Sequence, residues 1–175
     1  SFLLFPNPLV QPDGSLQTAV PAFADAYYAA IDPLNERDTL AKWKAKNGFD
    51  TGTGTQRLVV FGDTRDLGYG RYMTARQNPD GTLAFFVENY LVRLGPDYTY
   101  SPLNLAAAVV RDARWLIGIN AIEFSPGPAG GVNFPKFYNF NAAGLRQTAV
   151  DLDGRGDKAM PGPCITCHGG RGDPL

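Results

Sequence analysis

The residues best suited to chemistry lie near the end of the chain, where Cys164 and Cys167 are followed directly by His168. Two thiols at this spacing can both reach the vinyl groups on one edge of a porphyrin, while the adjacent imidazole binds the iron from one side of the ring. The chain contains 2 cysteines and 1 histidine, so this segment uses all of them. The pattern predicts one covalent haem c, with thioether bonds to Cys164 and Cys167 and with His168 as the proximal iron ligand.

Two other kinds of site use cysteines at this spacing. Structural zinc needs four ligands, and beyond Cys164, Cys167 and His168 the sequence has no further cysteine or histidine to supply the fourth. A redox-active dithiol normally lies near a βαβ pattern early in a domain, and this sequence lacks that pattern. Haem attachment is therefore favoured over both zinc and a dithiol.

The second axial position of the iron decides what such a haem can do. Without another histidine, the next candidate is methionine, and the chain has 2. Met73 follows Gly68 and Gly70, which permit close backbone approach to a ring, and it begins a predicted strand. Met160 lies so close to Cys164 that it could reach the iron only along a strained path, since four residues span at most ~13 Å. We expect Met73 as the distal ligand. The alternatives are an open or water-occupied position, Met160, another side chain or a neighbouring subunit.

Longer phrases carry a resemblance to known proteins. The five-residue motif is similar to that of c-type cytochromes in general. The phrases FGDTRDLGYGRYM (residues 61–73) and DLDGRG (residues 151–156) leading into residues 164–170 resemble a group of exported, largely uncharacterised bacterial cytochrome-like proteins. In that group the chain usually continues well past the motif, whereas here it stops at Leu175. A C-terminal motif on a β-rich domain is more weakly similar to the cytochrome P460 and cytochrome c′-β group, whose iron has an open or substrate-binding distal side.

These observations lead to an expected function. The first hypothesis is an exported electron carrier with a His168/Met73-ligated iron and a redox partner protein, because methionine raises the reduction potential relative to imidazole. The alternatives are a haem oxidoreductase or gas-binding protein with an open distal site, and a haem-bearing subunit of an extracellular, filamentous or otherwise homo-oligomeric assembly. An electron carrier is favoured over an oxidoreductase. Thioether attachment and a chain that begins at Ser1 predict a mature protein of the periplasm or cell exterior.

Composition narrows the partners. With 16 Lys+Arg against 17 Asp+Glu the formal net charge is −1, so we expect no binding to nucleic acid. No run approaches the ~20 apolar residues needed to span a bilayer. Residues 151–157 resemble a calcium loop, but Arg155 and Gly162 occupy the fifth and twelfth positions, where acidic residues are expected. A tight turn is therefore favoured over a calcium site.

The helix and strand patterns of the sequence predict an α+β fold. It consists of an antiparallel sheet with about three packed helices and a C-terminal haem-binding loop. We expect one domain over residues 1–175, with residues 1–15 as an extended arm. Asp38 and Ser101 are predicted helix N-caps, and the sequence Asn-Pro-Asp-Gly of residues 78–81 predicts a tight turn between two strands. Aromatic side chains must supply most of the haem envelope. The predicted helices cover residues 21–31, 38–47 and 101–115; the predicted strands cover 57–61, 71–76, 82–92, 121–124, 137–140 and 147–151; the aromatic candidates are Tyr27, Tyr28, Phe85, Phe86, Tyr98 to Tyr100 and Phe134 to Phe140.

Overall fold

The computed structural model describes residues 21–65, 67–93, 101–152 and 156–168. The expected α+β class is confirmed: antiparallel strands form the sheet, and short helices pack on it. The helices are α1 (Pro21–Ile31), α2 (Leu40–Lys46), α3 (Pro102–Val110) and α4 (Gly162–His168), with a 3-10 helix at Ala113–Trp115. The strands are β1 (Thr55–Gly62), β2 (Gly70–Gln77), β3 (Leu83–Tyr90), β4 (Leu116–Gly127), β5 (Gly130–Phe140), β6 (Ala149–Val150) and β7 (Lys158–Ala159).

The main sheet has five strands in the order in which they occur along the chain, β1-β2-β3-β4-β5, each antiparallel to its neighbours. The turn predicted between β2 and β3 is confirmed. Asn78 and Gly81 close it with a backbone hydrogen bond of 3.0 Å. Gly81 has a φ of +86°, a conformation that favours glycine. β6 and β7 form a separate two-stranded pair just before α4.

The helix ends follow local capping. α1 has the predicted bounds. The predicted cap of α2 is wrong by one residue: Thr39, not Asp38, accepts the hydrogen bond from the backbone amide of Lys42, at 3.2 Å. Asp38 forms an ion pair with the Lys42 side chain instead. α3 starts after Ser101 as predicted but ends at Val110, because Arg111 takes a left-handed conformation there.

One face of the sheet carries the main hydrophobic core. Side chains alternate along a strand and paired residues share a face, so Phe86, Ala121 and Tyr138 point to the same side. Trp43 of α2 and Tyr28 of α1 pack against these residues. A smaller cluster lies under α3 on the same side. Helices α1, α2 and α3 therefore cover this helix-side face.

The opposite side of the sheet is also apolar, and we call it the open face. Its apolar residues on β1 to β4 are exposed or only partly buried, with Val59 44%, Phe61 36% and Phe124 38% exposed. An antiparallel sheet with one packed face normally carries polar residues on the other, so this composition is unusual. The apolar residues of the open face are Val59, Phe61, Met73, Ala75, Leu83, Phe85, Val87, Ile122 and Phe124.

Several sequence expectations lie outside the described residues, namely the arm at residues 1–15 and the aromatic residues 98–100. None of the described helices is long and apolar enough to cross a membrane.

Candidate haem-attachment site

The cysteine motif lies on a helix, not on the predicted loop. In α4, the backbone amides of Cys164 and Ile165 both donate to the carbonyl of Pro161, at 3.0 and 3.1 Å. Prolines are compatible with this first turn because its amides have no intrahelical acceptor. Positions 164, 167 and 168 have the i, i+3, i+4 spacing that places residues on one side of a helix. The helix therefore brings the three residue positions of the motif together.

Cys164 is set into the edge of the main core. It is 8% exposed and belongs to the same cluster as Tyr27, Tyr28 and the fully buried Met160. Burial raises the pKa of Tyr28, and the nearby Cys164 raises the pKa of that hydroxyl further. Burial likewise raises the pKa of Tyr27, so both hydroxyls beside Cys164 stay protonated at neutral pH. Cys164 thus has an aromatic wall on the α1 side, formed by Tyr27 and Tyr28.

His168 is at the opposite end of α4 and is exposed. Its imidazole stacks on the ring of Phe137, with the ring centroids 6.2 Å apart and the planes 28° apart. Phe137 is 7% exposed and pairs with Ile122, so it points to the same side of the sheet as the open face. The backbone amide of Phe137 also donates to the Tyr27 hydroxyl at 2.7 Å. The imidazole is therefore held at the border between α4 and the open face.

Cys167 occupies the helical position directly before His168, and only its backbone is described. The thioether bond to Cys167 therefore stays a prediction from the sequence. The spacing that predicted thioether attachment is compatible with one turn of helix.

Met73 is in the middle of β2, paired with Val59 of β1 and Val87 of β3, and is partly buried. This register places it on the open face, the same side as Phe137. The two residues are far apart laterally, because β3 and β4 lie between their strands. Three strand spacings amount to about 14 Å. The structure therefore brings Cys164 and His168 together and leaves Met73 across the open face from them.

The glycines before Met73 have a different role from the predicted one. A Cβ on Gly70 would lie 1.8 Å from the carbonyl oxygen of Asn104 in α3. The Asn104 side-chain amide also donates to the carbonyl of Gly68 at 2.9 Å. Gly70 therefore allows α3 to pack closely on the end of β2, which explains this glycine without a ring nearby.

Met160 is the other methionine that the sequence offered as an iron ligand. Met160 has no exposed surface, and its backbone amide donates to Thr148 at 2.9 Å, so it fills the core. Within the described residues no group of three or more His, Cys, Asp or Glu side chains could hold a metal ion. A haem iron needs only one or two ligands from the protein. Residues 153–155 of the calcium-like loop lie outside the described part of the chain.

The donor set and its surroundings fit a haem. His168 offers an accessible imidazole, Cys164 offers a thiol one helical turn earlier, and an apolar surface begins at Phe137. The open face is the feature that sequence reasoning missed. The run LAFFVENY of β3 gave a signal for it, because apolar residues there occupy both alternating sets of positions.

The chain matches no family model, no curated protein and no solved structure. The class that fold and site together define is an α+β domain with a histidine-bearing C-terminal helix beside an apolar sheet face.

Proposed function

We propose that the protein is a monohaem c-type cytochrome with thioether bonds from Cys164 and Cys167 and with His168 as the proximal iron ligand. The observation that supports this best is the stacking of an exposed His168 on Phe137, one turn after Cys164 and beside an apolar face. When bound, the haem supplies one-electron chemistry at its iron. The residues of the chain then determine its orientation, its surroundings and its reduction potential.

The chain's own contribution is positional. Phe137 holds the plane of the His168 imidazole, and the Tyr27 hydroxyl fixes the backbone of Phe137 in turn. The core contacts of Cys164 fix the start of α4. An imidazole kept in place by this ring contact would move little between oxidation states of a bound iron, which would suit an electron carrier. We therefore propose electron transfer to a redox partner protein, in the periplasm or at the cell exterior.

Covalent attachment can be tested directly. Acid-acetone extraction of the coloured protein should leave the haem on the polypeptide, and mass spectrometry should locate it on the peptide containing Cys164 and Cys167. A double Cys164→Ala, Cys167→Ala variant should lose the covalent haem, whereas Met160→Leu should retain it. Release of all haem into the acetone would sink the proposal.

A haem oxidoreductase or gas-binding protein with an open distal site is the alternative function. It is favoured by the separation of Met73 from Phe137 by three strand spacings, about 14 Å. Rapid carbon monoxide binding to the reduced protein, without a sulfur-to-iron charge-transfer band in the oxidised spectrum, would support this alternative.

A haem-bearing subunit of an extracellular assembly is the other candidate. It is favoured by β1, an end strand of the sheet with Leu58 54% and Val59 44% exposed. Such an apolar edge strand can pair with a strand of another copy.

A further inference from the structure

One border of the open face lies beside His168, the candidate iron ligand. Ile122 and Phe137 are neighbours across β4 and β5, and both pack against the core cluster that contains Cys164. His168 stacks on Phe137 at this border. Moving away from the border across the sheet, the same face continues through Phe85 and Ala75, which are partly buried. One apolar surface therefore runs from His168 across the neighbouring strands.

Polar residues bound this surface along the strands. Asn139 donates to Asn120 across β4 and β5 at 2.7 Å. Arg71 pairs with Asp63 at 2.7 Å near the start of β2. An apolar patch with a polar rim marks a surface that binds a partner or ligand. The patch includes Met73, which lies two residues after Arg71 on β2 and on the same face of the sheet.

We propose that the open face is the haem-bearing surface, with the porphyrin lying against Met73, Phe85, Val87 and Ile122 and with the imidazole of His168 held at its border by Phe137. This inference rests on the proposed function and adds which surface encloses the ring. A haem needs an apolar envelope because exposure of its ring to water is unfavourable. The aromatic residues on the helix-side face, including Trp43 and Phe86, already pack against one another. In the described part of the chain, the open face is the apolar surface that adjoins His168.

The 2 methionines of the chain allow a sharp test. Met73 is on the open face, whereas Met160 has no exposed surface. Chloramine-T oxidises accessible methionine, and peptide mass spectrometry gives the rate at each position. In the haem-loaded protein we expect Met73 to be oxidised at least tenfold more slowly than in the haem-free Cys164→Ala, Cys167→Ala variant. Met160 should stay protected in both proteins, which shows that both are folded.

The outcomes separate this inference from the proposed function. If covalent haem is absent, the proposed function fails. If haem is attached but Met73 is oxidised equally fast with and without it, the open face is not the haem surface. Equal and strong protection of Met73 in both proteins overturns the inference in favour of residues 1–20 or a second copy of the chain on this face.

A second measurement uses only haem-loaded protein and decides the matter if the haem-free variant does not fold. Val87→Glu places a carboxylate in the middle of the open face, and a negative charge beside the ring stabilises oxidised iron. We expect a lower reduction potential than in the unmutated protein. Val132→Glu is the matched control, because Val132 is 86% exposed near the β4–β5 turn. Equal potentials for the two variants would overturn the inference.

Discussion

At the scale of single residues, the candidate iron ligands differ in how exposed they are and in what they pack against. His168 is exposed but held by a ring contact, whereas Met160 is buried by the core that also surrounds Cys164. Met73 has an intermediate position, partly buried and on the same side of the sheet as His168. The 2 methionines should therefore respond differently when haem is bound.

The first prediction concerns the distal ligand. If Met73 binds the iron, the oxidised protein should show a sulfur-to-iron charge-transfer band, and Met73→Ala should abolish it. Met160→Leu should keep the band, because Met160 packs in the core and a leucine of similar volume can replace it there. The visible and near-infrared spectra of the three proteins give the answer. A band that survives Met73→Ala would show that another group is the ligand.

A second prediction concerns a buried hydroxyl on the helix-side face. Among the described atoms, the Tyr138 hydroxyl has no hydrogen-bond partner, and burial raises its pKa. Leaving a buried polar group unsatisfied costs free energy, so Tyr138→Phe should leave the free energy of unfolding unchanged or raise it by about 1 kcal/mol. Tyr28→Phe removes a hydroxyl that donates to the Gln147 carbonyl at 3.0 Å, and should lower stability by about 1 kcal/mol.

Urea unfolding of these two variants provides the measurement, since both lose one oxygen from a buried ring. Equal destabilisation of both would mean that Tyr138 has a partner beyond the described atoms.

At the scale of elements, local signals predicted the fold where they were strong. Pro at the start and end of α1, the Asn78–Gly81 turn and the Ser101 cap each act within a few residues. Two predicted helix boundaries were wrong because a different residue determined where the helix starts or ends. Thr39 rather than Asp38 caps α2, and Arg111 ends α3 before Trp115. The helix α4 was missed because its first residues, Gly162 and Pro163, are poor helix formers.

The third prediction tests the packing of α3 on β2. A Cβ at Gly70 would lie 1.8 Å from the carbonyl oxygen and 2.3 Å from the carbonyl carbon of Asn104. Both atoms belong to the backbone, so Gly70→Ala must push α3 away from the sheet, at a cost of about 2 kcal/mol or more. Gly118→Ala is the control, because its Cβ would meet a single backbone oxygen, that of Phe140, at 3.2 Å.

We expect Gly118→Ala to cost less than half as much in denaturant unfolding. Similar losses in the two alanine variants would mean that α3 adjusts its position without a penalty.

The fourth prediction concerns the buried charges that join β4 and β5 to the segment before α2. Glu123 and Lys136 are 0% and 1% exposed, with an ion-pair distance of 3.3 Å. Glu123 also accepts hydrogen bonds from Arg37 at 3.0 Å and Asn47 at 2.8 Å. Burial lowers the pKa of Lys136, although Glu123 opposes this shift. Glu123→Leu leaves the buried Lys136 without its counter-charge, whereas Arg37 keeps its ion pair with Asp32. The loss should cost roughly 3–5 kcal/mol.

Glu36→Leu is the matched control, since Glu36 is exposed and pairs with Lys46 at 2.7 Å on the surface. It should cost at most about 1 kcal/mol. Thermal and urea unfolding of both variants test this. The prediction is refuted if Glu123→Leu loses no more free energy of unfolding than Glu36→Leu.

At the scale of the whole molecule, the sequence predicted a haem-attachment site but did not predict the apolar sheet face beside it. Cys164, Cys167 and His168 are adjacent in the chain, so their spacing alone suggested a function. The open face forms only when separate strands pair in register, for example Met73 with Val87. Long-range register depends on the combined packing of all strands, and no short motif encodes it. The neighbourhood of Phe137 and His168 is nonlocal for the same reason.

The same nonlocal pairing leaves β1 at one end of the sheet. Its sequence TQRLVVFG carries one charged residue, Arg57, and Phe61 is 36% exposed. Natural edge strands commonly avoid association through lysine, proline or a bulge. Within the described register, β1 pairs with β2 over its whole length without a bulge. We therefore expect this strand to promote self-association.

The fifth prediction is that the average mass of the protein rises with concentration in sedimentation velocity and light scattering, and that Leu58→Lys reduces this rise. Leu58 is 54% exposed and points to the helix-side face, so its replacement leaves the open face intact. Val110→Lys is the control, because Val110 is 72% exposed at the end of α3. Repulsion between lysines on paired edges should weaken association only in the β1 variant. A monomer at every concentration would remove the support for an assembly, whereas equal association of both variants would place the contact elsewhere than β1.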